Sequence, residues 1–177
     1  MNIPVLTPTK FFLFLLLMVS VCLNVTVSAQ TRTPPYKITA IKAMLFYDGK
    51  GTFSRDVLAK PDFTFWNTII GEGDAEGSSN STLVLVEVTG KPDSDDPLRK
   101  IEFTASYQYY RRQVRRTVSI KRAVEIGSIG SFDKPDKSYI AFWLNNTGCH
   151  PVKITARILG QTQPSTMSKT IPFECGE

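Results

Sequence analysis

Histidine and cysteine are scarce in this chain, with one histidine and three cysteines in 177 residues. A closed zinc or copper site takes several such ligands, so most transition-metal chemistry is excluded. The lone histidine, His150, adjoins Cys149, and no Gly-x-Ser-x-Gly segment presents a serine to it. His150 is expected as an exposed residue at the start of a strand, before Pro151. A phosphate-cradling loop is also lacking: Gly71-Glu72-Gly73 precedes no Gly-Lys-Ser or Gly-Lys-Thr, and no helix follows it. The 16 acidic residues are dispersed, and nothing selects a pair facing each other across a cleft, as glycoside hydrolysis needs. Long apolar runs are missing after the N-terminus, and so is any amphipathic helical pattern of ten residues; residues 54–60 have room for one turn. No cofactor is expected.

The N-terminus sets the compartment. Residues 1–10 carry one basic and no acidic side chain, the run 11–21 reads FFLFLLLMVSV, and Val27-Ser28-Ala29 precedes Gln30. These are the three regions of a secretory signal, so residues 1–29 are read as a signal peptide and the protein as exported: secreted, periplasmic or at the cell surface. The rival is an uncleaved anchor, the one way this chain would hold a membrane. Ser20, Asn24 and Thr26 interrupt the stretch, and crossing the hydrocarbon core takes about 20 apolar residues. A lipid-modified Cys22 is disfavoured by Val21, where a small residue belongs. Cleavage leaves one domain's worth of chain, and the net charge of +5 falls to about +4 with the loss of Lys10. That excess is too small to imply a nucleic-acid partner.

Without Cys22, two cysteines remain, Cys149 and Cys175. An even count in an exported domain implies a bridge.

Residues 30–36 form a proline-bearing arm, and from 37 onward the hydrophobic period is 2. Strands are expected over 37–47, 62–70, 82–89, 100–110, 114–126, 138–144, 152–159 and 167–174, all rich in Val, Ile, Thr, Phe and Tyr. Turn chemistry fills the gaps: Asp48-Gly49, the glycine-rich 71–80, two prolines in 91–97, Pro135, and Asn145-Asn146-Thr147-Gly148. About eight short strands separated by turns read as an all-β, single β-sandwich-like domain over 37–177. Its length and alternation resemble immunoglobulin-like and fibronectin-like sandwiches, an analogy of fold that implies no function.

The last two strands carry a register. A hairpin centred on Thr162 sets Val152 opposite Pro172, Ile154 opposite Thr170, Ala156 opposite Ser168 and Cys149 opposite Cys175. Neighbouring strands bring Cα atoms within disulfide reach, and closing this loop is worth about 3.5 kcal/mol on the chain-entropy estimate. Pro172 cannot donate to a ladder, so the final strand is expected at a sheet edge.

One charge feature is not random. Tyr109-Tyr110-Arg111-Arg112-Gln113-Val114-Arg115-Arg116, then Lys121-Arg122, places six basic residues in twelve positions with no acidic one between them. Around a turn at 111–113 these guanidinium groups suit carboxylate, phosphate or sulfate, and Tyr107, Tyr109 and Tyr110 add stacking surface. An anionic polysaccharide, a lipid headgroup or an acidic protein fits an exported protein better than nucleic acid does. The competing reading is an edge strand whose charges prevent self-association.

Weaker signals remain. Asp93, Asp95 and Asp96 on one loop, and Glu72, Asp74 and Glu76 on another, are calcium candidates without EF-hand spacing. Trp66 and Trp143 lie in alternating stretches and are expected in the core, with sugar stacking as the alternative. Asn80-Ser81-Thr82 and Asn145-Asn146-Thr147 match the glycosylation acceptor pattern. The leading expectation is a non-enzymatic binding or interaction module. Its rivals are a calcium-dependent or carboxylate-based hydrolase and a structural accessory domain of an envelope.

Overall fold

Period-2 alternation produces two four-stranded antiparallel sheets, and no helix occurs among the described residues. The computed structural model describes residues 36–90, 100–111, 114–126, 136–161 and 164–176, without the side chains of 109–111 and 125. The signal peptide and most of the arm, Arg112, and the Asp93, Asp95 and Asp96 loop lie outside the described residues, as do the side chains of Tyr109, Tyr110 and Arg111.

The first sheet has the order β2-β1-β3-β6, from β1 (Tyr36–Tyr47), β2 (Thr52–Phe53), β3 (Ser81–Gly90) and β6 (Lys137–Asn145). The second runs β5-β4-β7-β8, from β4 (Lys100–Arg111), β5 (Val114–Glu125), β7 (Val152–Leu159) and β8 (Thr166–Ile171). Alternate side chains meet between the sheets: Val84, Val86 and Val88 from β3, Phe142 and Leu144 from β6, Ile101 and Phe103 from β4, Val152 and Ile154 from β7, all buried. Phe103 stacks on Phe142 with ring centroids 4.1 Å apart, joining β4 to β6 across the core.

In β1 the pairing shifts between Ile38 and Ala40. One extra residue changes which parity points inward, so Tyr36 and Ile38 before the shift and Ile41, Ala43 and Leu45 after it are all buried. Beyond the shift, Ala43 N–H donates to Asp56 Oδ1 and Leu45 N–H to Ser54 Oγ, so side chains of the returning chain close the β1 edge past the two-residue β2.

Cys149 and Cys175 are bonded, with Cα atoms 4.7 Å apart, and β8 is an edge strand. The hairpin register, however, is displaced by one residue: Val152 faces Ile171, Ile154 faces Lys169 and Ala156 faces Met167. A one-residue slip exchanges the faces of a strand. The observed pairing turns Ile171 into the core beside Val152, where the expected one would have put Pro172. The disulfide tolerates the slip because both cysteines lie outside the ladder. After Ile171 the chain leaves β7, and Glu174 exchanges backbone hydrogen bonds with Phe65 and Asn67.

Residues 62–70 do not form a strand; they make turns around a single bridge between Trp66 and Glu174. Asn67 takes φ of 45°, and Ile70 N–H and Gly71 N–H bond back to Asn67 and Thr68 carbonyls, which ends any extended run. Only alternate apolar residues stay partly covered: Phe63 and Phe65 pack on each other, and Phe65 on Phe173. Trp66 is therefore 41% exposed, not in the core. Trp143 is half-buried, but on the outer face of the first sheet. His150 is half-buried too, since the disulfide at Cys149 ties its segment to the C-terminus.

Candidate functional site

The basic residues of 114–122 all fall on one strand. β5 pairs with β4 without a bulge from Arg111↔Val114 to Lys100↔Glu125, and it ends the sheet. Lys121 and Arg122 thus sit mid-strand, not near the hairpin turn. With about 3.4 Å per residue, Arg116 and Arg122 stand ~20 Å apart along the edge. From the expected turn at 111–113 the basic residues thus run out as a line along the strand.

Alternation then divides that line between two faces. Arg115 and Lys121 point outward, where Arg115 donates to Gln108 Oε1 and Lys121 Nζ lies 2.9 Å from Glu102 Oε2. Glu102 also receives Arg157 at 3.0 Å, and these two cations, Lys121 first, hold its carboxyl below the usual range. Arg116 and Arg122 share the other face with Val118, Ile120 and Val124. They are exposed and have no carboxylate partner among the described residues. Val118 and Ile120 pack against the rim of the core, while Val114 and Val124 are 50% and 40% exposed.

A second charged group sits on the outer face of the first sheet. Glu87, in β3, is buried and receives Lys137 Nζ at 2.8 Å, Thr39 Oγ1 at 2.8 Å, Tyr139 O–H at 3.0 Å and Lys42 Nζ at 3.3 Å. The Lys137 bond, helped by the other donors, pulls its pKa down to about 2 against the opposing effect of burial. The same contact raises Lys137 above the ordinary lysine value. A carboxylate so fully satisfied has no free lone pair for catalysis, and it reads as the polar fastening of β1, β3 and β6. Sequence reasoning passed over it; the signal was a single acid inside the otherwise uncharged run Thr82–Thr89.

Toward the other end of that face, Phe46 and Phe53 meet Trp143 edge to face and each other at a tilt, with ring centroids 5.2 to 5.9 Å apart. Trp143 Nε1 donates to Asn145 Oδ1, and Ser81 lies opposite Asn145. The two glycosylation-type segments converge here: Asn80 and Asn145 are exposed, while Thr82 and Thr147 are buried and hydrogen-bond each other at 2.8 Å.

A cleft of about 660 Å³ opens near Tyr47, Asp56, Lys60, Phe63, Asp74 and Glu76. Two of its carboxylates, Asp56 and Asp74, are occupied in holding loops. Asp56 Oδ1 accepts from Ala43 and Leu58 N–H, and Asp74 accepts from Thr64 N–H and Lys60. The Thr64 bond first, then Lys60, lowers the Asp74 pKa. Glu72 is bound by Asn67. Among the described residues no three His, Cys, Asp or Glu side chains converge on one point, so Glu72, Asp74 and Glu76 are not brought together as a cation site.

No protein-family model matches the chain, and no curated protein matches it in sequence.

Proposed function

We propose that this protein is an exported, non-enzymatic binding module whose β5 edge takes an extended anionic partner. The observation that carries the reading is the row of exposed cations on β5, in which Arg116 and Arg122 have no carboxylate among the described residues. Guanidinium groups ~20 Å apart on one strand are spaced for several charges of a linear polymer, not for one phosphate or headgroup. The Cys149–Cys175 bond favours an oxidising compartment, in keeping with residues 1–29 as a signal peptide.

The strand order supports the immunoglobulin and fibronectin analogy. Leaving aside the two-residue β2, the seven longer strands take the chain order 1-2-5 in one sheet and 4-3-6-7 in the other. That differs from the immunoglobulin constant arrangement in the sheet to which the fourth strand belongs. Such frames commonly bind through edges and loops and carry no set chemistry.

The test is retention on a sulfated-polysaccharide column, beside a variant with Arg115, Arg116, Lys121 and Arg122 replaced by alanine. Wild type held at physiological salt and variant released supports the reading. Co-elution of the two at low salt overturns it and leaves the arginines as edge protection.

A further inference from the structure

We infer that β5 binds its partner by strand addition, and that the partner is an acidic, extended polypeptide segment. The inference rests on the anionic-partner reading and adds how the partner is held. In the order β5-β4-β7-β8, β5 has a neighbour on one side only among the described residues. Residues of an antiparallel strand alternate in direction, so about half of its twelve residues aim backbone N–H and C=O groups away from β4. An incoming strand would satisfy them, as in β-augmentation.

The four edge strands differ in a way that singles out β5. β2 has two residues, and beyond it the β1 edge is closed by the Ser54 and Asp56 bonds. β8 has six, between Pro164 and Pro172 and beside the disulfide. β6 has nine residues and one cation, Lys137, which is committed to Glu87. β5 has twelve, with no proline and no bulge. Short edges, prolines and bulges are the ordinary protections against strand pairing, and β5 uses none of them. It uses charge alone, and charge discriminates by sign.

That sign decides the occupant. In a second copy paired edge to edge, the Arg116 and Arg122 rows of both chains would run side by side, and like charges across adjacent strands are destabilising. An acidic strand meets the same row with attraction. Its carboxylates would lie beside Arg116 and Arg122 on one face, and the residues between them on the other, beside exposed Thr117 and Ser119. Arg115 remains available at the outer face, because its present partner is a neutral amide. A polysaccharide offers the charge without the amide ladder, so the one-sided backbone favours polypeptide.

The experiment titrates the full protein with a fluorescent dodecapeptide carrying glutamate at every second position and valine or threonine between. Two derivatives are compared, one N-methylated at the odd residues and one at the even residues. Strand addition uses one edge of the peptide. One methylation pattern should therefore weaken binding at least tenfold while the other changes it less than twofold. Equal affinity of all three peptides overturns strand addition and leaves a purely electrostatic site. Failure of the peptide to bind, with arginine-dependent retention on the polysaccharide column intact, overturns the polypeptide but not the anionic reading. Loss of both removes the two together.

Discussion

Glu87 and Arg116 are both charged residues on strands of this sandwich, and their surroundings are opposite. Glu87 is buried in mid-sheet under two lysines, a threonine and a tyrosine, while Arg116 stands at the rim of the second sheet with solvent around it. A buried charge persists only when its lone pairs are filled, so the Glu87 site is complete within the chain. An exposed guanidinium loses little by staying in water, so Arg116 and Arg122 can stand without a carboxylate among the described residues. The first arrangement fastens strands; the second is the edge to which the proposed binding function is assigned.

The largest effect bearing on this contrast belongs to the frame that both regions share. Replacing Phe103 by alanine removes the ring stacked on Phe142 and should lower unfolding free energy by about 4 kcal/mol in urea titration. Serine at Cys149 and Cys175 should cost about 3.5 kcal/mol while anion retention of the folded protein stays unchanged. If the disulfide variant folds fully yet loses retention, the β5 site depends on more than its own strand.

Next comes the Glu87 group itself. Glu87→Ala should destabilise by about 2 kcal/mol, because Lys42 and Lys137 are left facing each other on a half-covered surface. Its pH dependence has a definite sign. The folded pKa of about 2 lies below the ordinary glutamate value of 4.5, so the stabilisation is fully present above pH 4.5 and is lost as pH falls through about 2. The urea midpoint of Glu87→Gln should accordingly fall less between pH 5 and pH 2 than that of wild type; equal falls would mean the network is not coupled to folding.

The smallest stability effect is expected on β5. Arg116→Ala with Arg122→Ala should stay within about 0.5 kcal/mol of wild type, yet reduce polyanion retention. Raising salt to 1 M should abolish retention and barely move the urea midpoint, since screening acts on exposed charges far more than on buried ones. A double variant destabilised as strongly as Glu87→Ala would erase the distinction between the two regions.

Legibility in the sequence followed the range of the interactions. Six of the eight expected strands recur within a residue of their bounds, 167–174 recurs in part as Thr166–Ile171, and 62–70 fails. Alternation in 63–66 looked the same as in β6, but no neighbour offers 62–70 a ladder, and Asn67 turns the chain instead. The cation cluster and the strand 114–126 that carries most of it were visible, whereas its place at a sheet edge was not, because alternation does not say which strands are neighbours. Glu87 was invisible as a site because its partners come from β1 and β6, about 50 residues away on either side.

The sequence by itself determined the β character, the alternation of faces and the pairing of Cys149 with Cys175. These depend on residue type, on period and on there being two cysteines after Cys22. Only the tertiary structure decided the hairpin register, the exposure of Trp66, the filling of the Glu87 site and the edge position of β5. Each of those turns on which strand lies beside which, and alternation, which repeats identically for every neighbour, carries no information about that choice.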